Sequence, residues 1–374
     1  MAARVGYCRV ADRRAYSEMG NTPNTCAPVA AAGVDCAPVT AIPSALDWLP
    51  TDLAPVAMRL ARADELQYDL ANLCLEWSHH ALDFKQVRTG DGLLSLIVSA
   101  IRPIPPVIPM LISEAVNHLR AAIDNVVFYL VEQARGSALP PAQAAQVKMP
   151  ICQSASDLAK WVKRTSPQVP ELGPGTPLHT RIESMQPYRS LAVITALPVE
   201  LATVMGVTDL NGVHPLLLLQ GYSNEDKHRI IRPALWRSVV TRGDRPFLTQ
   251  NLEWREIQVG DVVSSGVREG NPVGIETQTA VFVQRPDGNV SVGPGSELSQ
   301  IHGFVADILI PTLVTGAPAS PALPRQVDLS DNGETAEQRI RAGLGESAHS
   351  RAGRQGVAKL IADDTPPQLL PMPE

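Results

Sequence analysis

The sequence predicts an α+β protein: a helical bundle with an inserted β-hairpin, then a small antiparallel β-rich part and a returning C-terminal helix. Three observations carry this. Residues 51–83 and 109–135 repeat apolar side chains at helical spacing. Residues 84–101 form two strand-like runs around an Asp-Gly turn. Residues 248–292 hold three further strand-like runs separated by turn residues.

Residues 1–47 mix Ala, Pro, Thr and Gly without periodicity and are expected to be disordered, with Met19 as an alternative start. A helical domain is expected over 48–233. In its first helix Leu66, Leu70, Leu73 and Trp77 share one face, while Arg62, Glu65, Asp69 and Glu76 fall off it. Thr51 or Asp52 would cap its start, with Pro55 in the first turn. Phe84–Val87 and Leu93–Ile101 flank Thr89-Gly90-Asp91-Gly92, a hairpin signal. Pro103, Pro105 and Pro106 then end regular structure.

The second long helix carries Ile112, Ala115, Val116, Leu119, Ile123, Val126, Val127 and Leu130 on a wide apolar face and stops at Gly136. It is expected to pack antiparallel on the first. Shorter helices follow over 156–164, 178–185 and 213–229, the last with a run of four leucines. Strands are expected at 248–259, 273–284 and 289–292, and a helix at 296–315, forming a β-rich part with a returning helix over 234–315. The Pro-punctuated, polar stretch 316–374 reads as a disordered tail.

The 374 residues allow two or three domains. A net charge of −6 excludes a uniformly basic nucleic-acid binder but not a local basic patch. The five cysteines lack any Cys-x-x-Cys pair, which argues against a zinc knuckle or a redox motif. No run of 18 apolar residues and no apolar leader core is seen, so a cytoplasmic protein without a membrane span is expected. Phosphate-loop, dinucleotide, nucleophile-elbow and zinc-protease signatures are absent, and no cofactor is expected.

Two segments stand out: Ile112-Ser113-Glu114-Ala115-Val116-Asn117-His118-Leu119-Arg120-Ala121-Ala122-Ile123-Asp124-Asn125, and Gly221-Tyr222-Ser223-Asn224-Glu225-Asp226-Lys227-His228-Arg229. Met149-Pro150-Ile151 and Gln186-Pro187-Tyr188 lie between them. Taken in order over about 56–310, these resemble a widespread bacterial family of uncharacterised proteins, whose helix reads roughly His-Asn-Leu-Arg-Ser-Ala-Leu-Asp-His. The first motif also resembles that of HEPN helical-bundle ribonucleases, in which four to six residues separate an Arg from a following His. That resemblance implies a HEPN-like bundle, a homodimer and RNA cleavage without metal. Arg120 matches the Arg, but Asn125 stands where the His would be, and Asn cannot shuttle a proton at neutral pH.

The leading expectation is therefore a non-catalytic module that binds a protein or nucleic-acid partner. Arg120 would hold a phosphate, and Asn117 and Asn125 its oxygens or bases, next to Asp124 on the same helix. The competing account makes Arg120 and Asp124 an i,i+4 ion pair within a register of interhelical hydrogen bonds. In the second motif Lys227 and Arg229 would grip phosphates. The bland account is a helix-end cluster, with Asp226 paired to an Arg and Asn224 capping or turning the chain. A HEPN-type ribonuclease would use Arg120 and His228 as its catalytic pair. A metal-binding bundle would need Glu76, His79, Glu114 and His118 to converge, a weak pattern that assigns no metal ligand.

Overall fold

A computed structural model describes residues 46–90, 92–197, 208–228, 233–243, 249–250, 256–268, 275–286, 288, 290–319 and 322–362. The fold is α+β. Its elements are α1 (Ala54–His80), β1 (Leu82–Arg88), β2 (Leu93–Ile101), α2 (Val107–Arg135), α3 (Pro141–Ala144), α4 (Ala155–Thr165), α5 (Pro177–Ser184), α6 (Pro215–His228), β3 (Pro233–Arg242), β4 (Val262–Arg268), β5 (Ile275–Gln284), β6 (Ser291–Val292), α7 (Pro294–Thr315), α8 (Ala336–Ala342) and α9 (Ala348–Ala362).

The α1–α2 pair is the centre of the core. The apolar stripes read from the sequence face inward: Leu66, Leu70 and Trp77 on α1, and Ile112 through Val127 on α2, are buried. Trp77 Nε1 donates to the Pro103 carbonyl at 3.0 Å, so the Pro-rich stretch satisfies the indole as it turns the chain into α2. Gly136 closes α2 at φ +75° and donates to the Glu132 carbonyl at 2.8 Å. The first helix ends three residues earlier than its period suggested, because Leu82 already belongs to the hairpin.

The sheets differ from the expectation in a way local patterning could not show. β1 and β2 form the expected hairpin, but β2 also pairs antiparallel with β4, from Leu93 against Arg268 to Ile97 against Val262. A second sheet has the order β3-β5-β6. Of the strand expected over 248–259, residues 248 and 251–255 lie outside the described residues, and 256–258 form no strand. The β-rich part is therefore not separate from the helical one. β4 extends the hairpin sheet, and β5 packs on α1.

Helix α7 is long and apolar enough to cross a membrane by length and composition. In this fold most of it is buried, packed on α1 and α2. Residues Phe304–Leu309 form a π-helical stretch within it.

The expectation of a disordered tail over 316–374 is corrected for residues 316–319 and 322–362. Helices α8 and α9 lie on α1. Asp64, a buried acid on α1, accepts from the Ala348 N–H at 2.8 Å and pairs with Arg351 at 2.8 Å. Arg351 also stacks over the Tyr68 ring at 4.9 Å, and Tyr68 Oη donates to Gln355 at 2.6 Å. Polarity alone misled here: the segment docks through polar groups and small residues, Ala348 and Ala352 being buried. Residues 1–45, within the expected disordered segment, and 363–374 lie outside the described residues.

Candidate functional site

The motif residues on α2 point to two neighbours. Arg120 Nη2 donates to the Met149 carbonyl at 2.7 Å, and the Met149 N–H donates to Asp124 Oδ1 at 2.9 Å. Arg120 Nε and Asp124 Oδ2 are 3.3 Å apart. One helical turn thus holds a single residue's backbone by both of its polar groups. Towards the start of α2, Ser113 Oγ donates to Asp226 Oδ1, and Asn117 Nδ2 donates to Asp226 Oδ2 at 2.9 Å. Asp226 therefore pairs with α2 rather than with an Arg, and it lies in the last turn of α6, within the helix expected over 213–229.

The third anchor is Gln186. It is fully buried, and Nε2 donates to the Pro150 and Ile182 carbonyls at 3.0 Å each. Its Oε1 accepts from the Cys152 N–H at 2.8 Å. In sequence, Gln186-Pro187-Tyr188 reads as a helix stop whose Tyr packs into the core. Tyr188 is partly buried against the core, but the residue with the strongest constraint is Gln186. Arg120, Asp124 and Gln186 together fix the extended stretch 149–152.

The remaining candidates are placed elsewhere. Asn125, assigned to a ligand's oxygens or bases, turns towards α1. With its amide oriented to satisfy both atoms, it donates to the Ala121 carbonyl at 3.3 Å and accepts from Arg59 Nε at 3.2 Å. Asn224 is mid-helix rather than in a cap or turn, exposed, and accepts from Gln220 at 2.7 Å. Lys227 is exposed. Arg229 and the side chain of His228 lie outside the described residues. Gly221 allows α6 to approach the turn at Pro286: a Cβ there would fall 2.6 Å from the proline ring.

The held stretch forms one wall of a cleft of about 330 Å³ lined by residues of α2, α4 and α6. Its cations are Arg120, Lys148, Lys160 and Arg164, against the single carboxylate of Asp157. Trp161, Pro150 and Gln220 complete the lining that matters. Helix α4 presents its cations by simple periodicity. Ser154 caps it by accepting from the Asp157 N–H, and Leu158, Trp161, Val162 and Thr165 turn inward. Lys160, Lys163 and Arg164 are thereby left on the exposed side.

Lys160 pairs with Asp157 at 3.1 Å, whereas Lys148 and Arg164 are exposed and have no ion pair among the described residues. Arg120 is largely buried, with a side-chain exposure of 13%. Its Nη1 is buried without a hydrogen-bond partner among the described residues. Cys152, also in the lining, has its thiol pushed up by burial and by Asp157, so it stays protonated at neutral pH.

Within one chain, Arg120 shares the cleft with Gln220. At 1.5 Å per residue, the His228 backbone lies about 12 Å further along α6. The ribonuclease pairing of Arg120 with His228 gains no support from that spacing. The four residues of the metal reading form no ligand cluster either: among the described residues no group of three or more His, Cys, Asp or Glu could hold an ion. Burial first, then Arg59 and Arg62, hold the His118 imidazole below its ordinary range.

Lys148, Lys160 and Arg164 went unnoticed in the sequence because they come from two separate segments. The available signal was the amphipathic alternation of 155–165, which places Lys160, Lys163 and Arg164 opposite Leu158, Trp161 and Val162. Fold and cleft together define an α+β protein that presents a cation-lined cleft on its helical side. No protein-family model, no curated protein and no solved structure matches the chain.

Proposed function

We propose that the protein is a non-catalytic RNA-binding module whose phosphate-binding surface is the cleft between α2, α4 and α6. The observation that carries this reading is the division of labour around residue 149. The motif side chains Arg120 and Asp124 are engaged in holding the backbone of Met149, and the stretch they hold walls a cleft with four cations and one carboxylate. In a chain of net charge −6, such a local concentration of cations is where an anionic strand binds. The motif contributes scaffolding and, in Arg120, one fixed guanidinium of the lining, and Lys148 and Arg164 contribute the exposed charge.

The test is a binding and cleavage assay. Wild-type protein is incubated with labelled single-stranded and structured RNAs, with and without EDTA, beside a Lys148→Ala/Arg164→Ala variant. The expected result is a retarded complex with intact RNA, weakened in the variant and indifferent to EDTA. Cleavage that disappears in Arg120→Ala would replace this reading with the ribonuclease one. Failure to retard any RNA would remove RNA as the partner and leave a protein ligand.

A further inference from the structure

The cleft's size and charge bear on which part of a strand it receives. Its volume, about 330 Å³, lies at the small end of the range for ligand pockets, which suits one nucleotide rather than a track of several. Its available positive charge is concentrated. Lys148 and Arg164 come from opposite sides of the Met149–Cys152 stretch in sequence and meet in one cleft, without ion pairs among the described residues. Arg120 adds a guanidinium already fixed by Asp124 and Met149, with Nη1 unpartnered. Past Gln220, the described end of α6 carries Glu225 and Asp226 against the single cation Lys227, so it adds no net positive charge that would extend the cleft into a track for a polyanion.

A phosphodiester within a strand carries one negative charge. A terminal phosphate monoester carries about −1.5 to −2 at neutral pH and three strong acceptor oxygens. Three cations with donors to offer match the monoester better. Trp161 and Pro150, both largely buried, line the cleft with apolar edges beside which the attached sugar would lie.

We propose that the cleft takes the terminal phosphate monoester of an RNA strand, held by Lys148, Arg164 and Arg120. This rests on the RNA-binding reading above. The recognised chemistry is a phosphate monoester dianion, which a free mononucleotide also carries, so both sources enter the test.

Short single-stranded RNAs of one sequence are prepared with a 5′-phosphate, with a 3′-phosphate, or with hydroxyls at both ends, each bearing an internal fluorophore. Their affinities are measured by fluorescence polarisation at fixed salt, with AMP and inorganic phosphate as competitors. One of the phosphorylated RNAs is expected to bind about tenfold more tightly than the hydroxyl-ended one. That advantage is expected to shrink as pH falls below about 6, where the monoester takes up its second proton. It is also expected to vanish in Lys148→Ala/Arg164→Ala, whose substitutions lie on the exposed surface and leave the Arg120 scaffold in place. Equal affinities for all three RNAs, weakened together in the variant, would overturn the terminal-phosphate inference while leaving RNA binding intact. Tight AMP binding without any gain from RNA phosphorylation would transfer the site to a free nucleotide and overturn the RNA end. No binding of any RNA would overturn both readings.

Discussion

Arg120 and Asp124, one turn apart on α2, hold the same residue from its two polar sides: the arginine takes the carbonyl of Met149 at 2.7 Å and the aspartate its N–H at 2.9 Å. The pair is not simply an i,i+4 ion pair on a helix surface, which would contribute only a few tenths of a kcal/mol. It is the means by which α2 positions the wall of the cleft.

The two side chains should therefore act as a unit. Arg120→Ala and Asp124→Ala are each expected to lower stability by about 1–3 kcal/mol, since each leaves a backbone group of the fully buried Met149 without its partner. The double variant should lose less than the sum. Urea denaturation of the four proteins of the cycle measures this, and strict additivity would show that the two contacts are independent.

Gln186 should be less replaceable than its neighbours in the Gln-Pro-Tyr motif. Gln186→Met keeps the volume but abandons the Cys152 N–H and the Pro150 carbonyl, at about 1–3 kcal/mol for each group left unsatisfied. Tyr188→Phe keeps the ring and gives up only the hydroxyl's hydrogen bond with Arg189, an exposed residue, and is expected to cost about 1 kcal/mol or less. Equal destabilisation by both would contradict the anchoring role of Gln186.

Acid should weaken the fold through two buried imidazoles. His302 Nε2 donates to the Leu60 carbonyl at 2.8 Å, and its Nδ1 accepts from Arg325, so the ring is neutral. Burial, with Arg325 second, pushes it from 6.5 down to about 3, and burial pushes His214 down to about 4. The unfolded chain takes up these protons as pH falls through about 6.5, and the folded chain does not until much lower. The stability contributed by keeping the rings neutral is thus complete above about 6.5 and is lost progressively as pH falls towards about 4 and then 3. Urea midpoints measured along that range should fall, and should fall less steeply in His302→Gln, whose amide retains a donor and an acceptor. An unchanged slope in that variant would rule out His302 as a contributor.

The C-terminal helices should be part of the cooperative fold. Arg351→Ala leaves the Asp64 carboxylate, 2% exposed, without its cation and is expected to cost about 3–5 kcal/mol. A wild-type-like midpoint by urea denaturation would make α9 a dispensable appendage.

The buried pair Arg285–Glu297 gives a comparable test on the other side of α6. Arg285 is buried with its Nε 2.8 Å from Glu297, and it also donates to the Asn211 and Ile194 carbonyls. Glu297→Gln is expected to destabilise strongly, by about 3–5 kcal/mol, because it leaves the guanidinium buried without its counter-charge. Arg285→Met/Glu297→Met should recover part of that loss, and thermal or urea unfolding of the three proteins measures it.

The sequence by itself determined the elements whose signal is local. The 3.6-residue period of α1 and α2, the stop at Gly136 and the turn between β1 and β2 each depend on residues a few positions apart, and those were legible. It also singled out Arg120, Asp124, Asn117, Asp226 and the Gln186 segment as unusual, without saying what they touch. Only the tertiary structure decided their partners, because Met149 lies 25 residues from Asp124, and Asp226 lies 109 from Asn117. The same holds for β4, whose partner β2 is far upstream and whose own run is interrupted by Ser264-Ser265-Gly266, so that it carries no clear strand signal. The tail was misjudged for a related reason: low hydrophobicity says that a segment cannot form its own core, but not that it has no core elsewhere to dock on. Lys148, Lys160 and Arg164 become a site only when α2 fixes the backbone between them, and that is a property of the folded chain.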